Sequence, residues 1–223
     1  MKISEIFLSI EGEGIRTGAP AVFIRLFGCN LRCKYCDSMY AVEGDDFQNM
    51  TPQEVLEKVK SFNTQFVTLT GGEPLIHKDV KVLLKILDDS GYEINIETNG
   101  TQPKPKGIRK LICTMDWKSI SSGMQPKMKL ENMMTLRGKD VLKFVVGSDE
   151  DLQDAARVIG AMEAEYARDG LKLPTFYVSP IFGTMKYEDM VNWILHNATM
   201  KRNNVRFQVQ LHKIIWNPDA RGV

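Results

Sequence analysis

Three of the four cysteines lie within eight residues of one another. The stretch GCNLRCKYCDS holds Cys29, Cys33 and Cys36 in a C-x3-C-x2-C spacing, and Cys113 follows far downstream. Thiolates this close on one loop can converge on a metal. A closed zinc site needs four ligands, so Cys113 or one of the three histidines would have to supply the fourth. An iron–sulfur cubane accepts thiolates on separate irons, so three cysteines leave one iron open to a reactant. The spacing favours the cubane, and zinc remains the alternative.

Cys113 itself is expected to take no part in the metal site. It lies within the apolar run KLICTM, where a lone cysteine usually packs as a small hydrophobic residue.

The elements that must position these thiols alternate between apolar runs and helical patterns. AVFIRLFG, QFVTLTGGEP and YEINIETNG each predict a strand, whereas TPQEVLEKVKSF and DVKVLLKILDDSG predict helices. Such alternation without hairpin signals favours parallel strands joined by right-handed crossovers. About six or seven strands and fewer helices do not support a complete eightfold barrel. We therefore expect one α/β domain over residues 1–223.

The polar stretches of the chain share a position. GCNLRCKYCDS, TGGEP, ETNG, DWKS and SPIFG each follow an apparent strand. Because α/β proteins bind ligands at the carboxyl ends of parallel strands, we expect the five stretches to meet at one face of the sheet.

Charge and hydropathy exclude several classes of protein. Lysine and arginine number 29 against 28 acidic residues, so no nucleic-acid partner is indicated. The N-terminus lacks the apolar core of a signal peptide, and no segment is apolar over the length of a bilayer crossing. We expect a cytoplasmic protein that does not bind membranes and whose thiols stay reduced.

The cysteine loop resembles that of the radical S-adenosylmethionine superfamily. The matching features are C-x3-C-x2-C with Tyr35 before the last cysteine, and TGGEP at residues 70–74. The resemblance implies a partial (β/α)6 barrel of the radical SAM type with a reduced helix count. It also implies a [4Fe–4S] cluster on the three cysteines and S-adenosylmethionine on the open iron. In that superfamily, one electron from the cluster releases a 5′-deoxyadenosyl radical, which abstracts hydrogen from the substrate.

Three longer stretches of the sequence point to one family within this superfamily. FLSIEGEGIRTGAPAVFIRLFGCNLRCKYCDS, DWKSISSGM and QLHKIIWNPDARGV resemble segments of the 7-carboxy-7-deazaguanine synthases. That family is a lyase family of 7-deazapurine (queuosine-type) biosynthesis. It converts 6-carboxy-5,6,7,8-tetrahydropterin to 7-carboxy-7-deazaguanine by ring contraction with loss of ammonia, using Mg²⁺. The resemblance further implies a homodimer and an external one-electron donor such as a flavodoxin. The rival interpretations are an activase of glycyl-radical enzymes and, from another class, a zinc-stabilised binding module.

Arg25 stands out from the residues alone, because it interrupts the otherwise apolar run AVFIRLFG. A charge in a buried strand is costly unless it is paired, so Arg25 is expected to bind a ligand, to form a salt bridge or to extend its charged end to solvent. We favour a bidentate clamp on a substrate carboxylate.

The family resemblance assigns the remaining roles. Ser38, where the family usually has threonine, would bind Mg²⁺ through its hydroxyl. Glu11, where the family more often has glutamine, would pair with the guanidine-like face of the pterin. The other expected substrate contacts are Ile10, Gly12, Thr70, His212 on the last strand, and the terminal carboxylate of Val223. The expected S-adenosylmethionine contacts are Tyr35, Cys36, Asp37, Gly72, Asp116, Trp117, Lys118, Ser179, Pro180, Ile181 and Phe182, with Glu97 and Asn99 as further candidates.

The cysteine assignment yields a direct test. Cys33→Ala should lose both iron and activity, because it removes a cluster ligand. Cys113→Ala should keep its iron, because that thiol is expected to pack in the core. The measurement is iron content and absorbance of anaerobically purified protein. Iron lost from Cys113→Ala, or a colourless wild-type protein holding stoichiometric zinc, would contradict the assignment.

Overall fold

The computed structural model describes all 223 residues and contains one nine-stranded sheet. Its strands are β1 (Lys2–Ile10), β2 (Pro20–Leu26), β3 (Gln48–Asn49), β4 (Phe66–Gly71), β5 (Glu93–Thr98), β6 (Leu111–Lys118), β7 (Val141–Val146), β8 (Thr175–Pro180) and β9 (Arg206–Phe207). The strand order is β3-β1-β2-β4-β5-β6-β7-β8-β9, and all neighbours from β2 to β9 are parallel.

Helices fill most of the connections. They are α1 (Pro52–Lys60), α2 (Val80–Asp89), α3 (Leu130–Met133), α4 (Asp149–Arg168), α5 (Tyr187–His196), α6 (Ala198–Arg202) and α7 (His212–Ile215). The start of α1 follows from its sequence, because Thr51 and Glu54 form a reciprocal capping box and Pro52 occupies the first turn. None of these helices has the length and apolar character needed to cross a membrane.

The pleat of the parallel strands separates two kinds of side chain. On β6, Cys113, Met115 and Trp117 lie in the hydrophobic core, whereas Asp116 and Lys118 line a cavity on the opposite face. The same alternation holds on the neighbouring strands, since successive side chains of a strand point to opposite faces. Helices cover the apolar face, so the polar face is left to form a binding site.

The structure agrees with the predicted α/β class of radical SAM type, with an open sheet rather than a closed barrel. The sequence analysis missed one strand, and one local prediction was wrong. The N-terminal β1, which we did not predict, pairs antiparallel with β2 through a connection of residues 11–19, too long to give a tight-turn signal. His212 begins the short helix α7 instead of lying on the last strand, because β9 ends at Phe207.

Candidate functional site

The five polar stretches meet, as predicted, at the carboxyl ends of the parallel strands. They enclose a cavity of about 540 Å³, within the usual range for small-molecule sites. The loop after β2, the ends of β4, β5 and β6, and the segment after β8 all contribute to its wall. The C-terminal residues 217–223 line the same cavity.

The three clustered cysteines line this cavity, whereas Cys113 is fully buried on the other face of β6. Burial raises the pKa of the Cys33 and Cys36 thiols, so a metal ion is needed to hold them as thiolates. The Cys29 sulfur accepts two hydrogen bonds, from the Leu31 amide at 3.4 Å and from Asn99 Nδ2 at 3.7 Å. In this conformation the side chains do not form a closed set of three or more ligands. Three thiols facing one cavity, with the fourth cysteine apart, fit a cluster that keeps one iron free.

A close approach of two loops holds the cluster segment in place. The Gly72 amide donates to Leu26 O at 3.0 Å, and the Glu73 amide donates to Gly28 O at 2.9 Å. A Cβ at position 72 would overlap the Gly28 carbonyl, so only glycine permits this approach.

The buried carboxylate of Glu73 joins the same segment to the loop after β5. It accepts hydrogen bonds from Thr98 Oγ1 at 2.8 Å, the Asn99 amide at 2.6 Å and the Leu75 amide at 2.9 Å. We did not predict this role, although a glutamate within TGGEP was visible in the sequence.

A chain of alternating charges crosses the wall of the cavity. Lys118 Nζ lies 2.8 Å from Asp116 Oδ2, and Lys143 Nζ contacts both Asp116 Oδ1, at 3.4 Å, and Glu13. Although burial alone would raise it, these two lysines hold the pKa of Asp116 below its ordinary value. Each of these charged side chains therefore has a partner of opposite charge, which offsets the cost of burying an ion.

Arg25 lies at the cavity with one edge already bound. Its Nε donates to Glu5 Oε1 at 2.6 Å, and the Tyr40 hydroxyl donates to the same oxygen at 2.8 Å. No other hydrogen bond is formed by the guanidinium, so both terminal nitrogens remain free for an anion. Arg25 can therefore keep its salt bridge to Glu5 and still offer two nitrogens to a substrate carboxylate, so these two of the alternatives considered from the sequence are compatible.

The C-terminal segment is tied to the cysteine loop. Lys213 Nζ lies 2.8 Å from Asp37 Oδ2, and Ser38 Oγ donates to Asp37 Oδ1 at 3.0 Å. Burial would raise the pKa of Asp37, but Lys213 outweighs it and lowers the value to about 2. Arg221 stacks on the Tyr40 ring, 3.9 Å from its centroid.

Most of the predicted site residues reach the cavity. Those that line it are Ile10, Gly12, Arg25, Cys29, Cys33, Tyr35, Cys36, Asp37, Ser38, Thr70, Gly72, Glu97, Asn99, Asp116, Lys118, Ile181, Phe182, His212 and Val223.

The structure does not bring four predicted residues to the cavity wall. The Glu11 carboxylate turns to Arg16, at 2.8 Å, and to Thr68, which lies further from the strand ends than Thr70. Trp117 Nε1 donates to Asp154 of α4 at 2.7 Å, because its place in the β6 alternation directs the side chain to the helices. Ser179 and Pro180 are buried within β8 and lie outside the lining.

Sequence reasoning missed Glu13, Tyr40 and Lys143, all of which line the cavity. A signal for Lys143 existed, because it interrupts the apolar run VLKFVV as Arg25 interrupts its own strand. Glu13 was overlooked in favour of Glu11, two residues earlier in the same motif.

Comparison with known proteins decides the family. The Radical SAM superfamily profile matches residues 23–117. A 7-carboxy-7-deazaguanine synthase of Clostridium acetobutylicum is 41% identical over 227 aligned residues, covering 100% of this chain and 99% of that protein. One from Methanospirillum hungatei is 40% identical, covering 98% of this chain and 86% of that protein. The chain belongs to the 7-carboxy-7-deazaguanine synthase family. This membership confirms the resemblance drawn from the cysteine loop, and with it a radical SAM enzyme that uses a [4Fe–4S] cluster, S-adenosylmethionine and Mg²⁺.

Solved structures support the fold of this synthase family member. The crystal structure of QueE from Escherichia coli matches with a TM-score of 0.73, covering 95% of this chain and 94% of that one at 23% identity. The crystal structure of Streptococcus suis SuiB bound to S-adenosylmethionine matches with a TM-score of 0.57, covering 84% of this chain and 51% of that one at 14% identity. At these identities the matches show the fold alone.

Gly72 gives a test of the loop packing. We expect Gly72→Ala to lower iron content and to weaken S-adenosylmethionine binding at least about tenfold, because the new methyl group displaces the cysteine loop. Gly160→Ala is the control, since a Cβ at that position of α4 meets only Thr199 Cγ2, at 3.9 Å. Iron analysis and equilibrium dialysis are the measurements. Full iron content with unchanged affinity in Gly72→Ala would refute the packing argument.

Glu97 gives a pH-dependent test. Burial raises its pKa from 4.5 to about 7, with Lys143 opposing the shift. The folded protein therefore binds this proton more tightly than the unfolded chain, and wild-type stability falls as pH rises through that window. We expect the melting temperature of Glu97→Gln to rise relative to wild type by at least about 2 °C between pH 5 and pH 8. The exposed substitution Glu57→Gln is the control. If the difference in melting temperature between Glu97→Gln and wild type does not change with pH, the raised pKa of Glu97 is excluded.

Proposed function

We propose that this protein converts 6-carboxy-5,6,7,8-tetrahydropterin to 7-carboxy-7-deazaguanine with loss of ammonia. The observation that carries the proposal is one cavity that joins three cluster-type cysteines to a half-buried arginine with two free nitrogens. A carboxylated heterocycle can therefore lie beside the radical-generating centre. The family membership supports the same activity.

The residues at the cavity suit the expected cofactors. Cys29, Cys33 and Cys36 would hold the cluster, and Ser38 would offer its hydroxyl to Mg²⁺, which takes few protein ligands and keeps water and substrate oxygens for the rest. S-adenosylmethionine would lie against the cavity-facing members of its predicted set, namely Tyr35, Asp37, Gly72, Asp116, Lys118, Ile181 and Phe182. When bound, the cofactors supply one-electron chemistry that removes a hydrogen atom from the substrate.

The chain's own residues orient the substrate. The Glu5 carboxylate accepts a hydrogen bond from Arg25 Nε and so orients the guanidinium. The two terminal nitrogens of Arg25 can then bind the substrate carboxylate in a bidentate manner. Thr70 lies on the next strand with its hydroxyl bound to Glu97 Oε2 at 2.8 Å. His212 stands against Gly12, where a Cβ would overlap its imidazole, and so forms the opposite wall for the pterin. Burial lowers the pKa of His212, which favours the neutral ring.

The C-terminal segment separates this proposal from a glycyl-radical activase. An activase must admit a loop of a large protein, so its cavity has to stay open. Here residues 217–223 line the cavity, Lys213 is bound to Asp37, and Arg221 stacks on Tyr40. This arrangement favours a small substrate over a loop of a protein partner. The proposal also includes a single radical SAM domain and a cytoplasmic location, both expected from the sequence, and a homodimer and an external one-electron donor such as a flavodoxin, both from the resemblance.

Arg25 provides the matched test. With a reconstituted cluster, S-adenosylmethionine, Mg²⁺ and dithionite, the wild-type protein should convert 6-carboxy-5,6,7,8-tetrahydropterin to 7-carboxy-7-deazaguanine. Product formation is measured by mass spectrometry. Arg25→Lys should keep its iron and lose about 100-fold in kcat/KM, because lysine cannot bind a carboxylate in a bidentate manner. Arg109→Lys, on the exposed surface beside Asp88, is the control. Absence of the deazaguanine product with wild-type protein would reject the proposed reaction.

A further inference from the structure

Glu13 carries an unsatisfied acceptor at the cavity. It follows β1 by three residues, its side chain is 9% exposed, and it lines the cavity wall. One carboxylate oxygen, Oε2, is bound by Lys143 Nζ. The other, Oε1, is buried and has no hydrogen-bond partner.

An unpaired carboxylate oxygen is expensive in such a place. Leaving a buried acceptor without a donor is energetically unfavourable, and more so where the group is charged. Lys143 compensates only part of this cost, because its ammonium also lies 3.4 Å from Asp116 Oδ1. The free oxygen is therefore placed to accept an N–H from a bound ligand.

We propose that Glu13, rather than Glu11, is the carboxylate that recognises the substrate, and that it accepts N–H donors from an aminopyrimidinone edge. This inference rests on the proposed function, whose pterin presents a ring N–H and an exocyclic amino group side by side. The unpaired oxygen Oε1 has two lone pairs with which to accept from such donors.

The local backbone explains why the two glutamates differ. Glu11 is held by the Arg16 guanidinium and the Thr68 hydroxyl, away from the cavity wall. Gly12 lets the imidazole of His212 pack against the backbone between them. Glu13 then emerges on the cavity side, where Lys143 holds one oxygen and leaves the other to the ligand.

Selectivity follows from the direction of the hydrogen bond. A heterocycle with an oxo group in place of the exocyclic amine presents an acceptor to the carboxylate, and two acceptors repel each other. A site built to bind a donor rejects such an analogue strongly, by about 100-fold or more. A structural role for Glu13 as counter-ion of Lys143 alone would produce no such preference.

The test compares two fluorescent, unreactive probes, 6-carboxypterin and 6-carboxylumazine, which differ in the amino and oxo groups. Binding is measured by fluorescence with cluster-reconstituted protein, S-adenosylmethionine and Mg²⁺, without reductant. Wild type should prefer the pterin by about 100-fold. Glu13→Gln should reduce the ratio below about tenfold, because its amide can donate to the oxo group. Glu11→Gln is the matched control and should keep the wild-type ratio.

The outcomes separate this inference from the proposed function. A wild-type protein that binds neither probe and forms no deazaguanine would reject the proposed reaction. Wild-type preference retained in Glu13→Gln would overturn the role of Glu13 alone. Folding of Glu13→Gln is judged by circular dichroism and iron content. If this variant fails to fold, Glu13→Asp is used instead, because aspartate keeps the negative charge but holds its carboxylate one methylene group further from the ligand. Weakened pterin binding with a reduced ratio supports the inference, and wild-type affinities for both probes overturn it.

Discussion

The pairing of charges on the polar face of the sheet is the constraint on which the site depends. A parallel sheet covered by helices has little contact with water, so any ion on its inner face needs a partner. Lys143 meets this need by joining Glu13 to Asp116, and Lys118 adds a second cation to Asp116. These ion pairs connect Glu13, which follows β1, to Asp116 and Lys118 of β6 along one wall of the cavity.

Backbone packing sets the second requirement, which is the fixed position of the cysteine loop. Gly72 brings the loop after β4 against Gly28, and Glu73 fastens it to the loop after β5. Asn99, from that last loop, donates to the Cys29 sulfur. Hydrogen bonds to cluster sulfurs tune reduction potential, so the loops that shape the cavity also bear on the electron chemistry within it.

Tyr40 connects the C-terminal segment with the Arg25 guanidinium. Its hydroxyl donates to Glu5, the carboxylate that orients Arg25, while its ring supports Arg221 of the C-terminal segment. A displaced segment would therefore remove one of the groups packed against Tyr40. Through this one aromatic residue, the C-terminal segment is coupled to the guanidinium that we propose as the clamp for the substrate carboxylate.

The sequence by itself determined the cysteine loop, the parallel α/β order and the five stretches at the strand ends, because spacing and hydrophobic periodicity are local properties. It also exposed Arg25 as a charge in an apolar run. Tertiary structure alone decided which glutamate of SIEGEG faces the cavity and that β1 pairs antiparallel with β2. Those outcomes depend on side-chain direction and on partners distant in the sequence, such as Thr68 for Glu11 and Lys143 for Glu13, which neither a motif nor a period encodes.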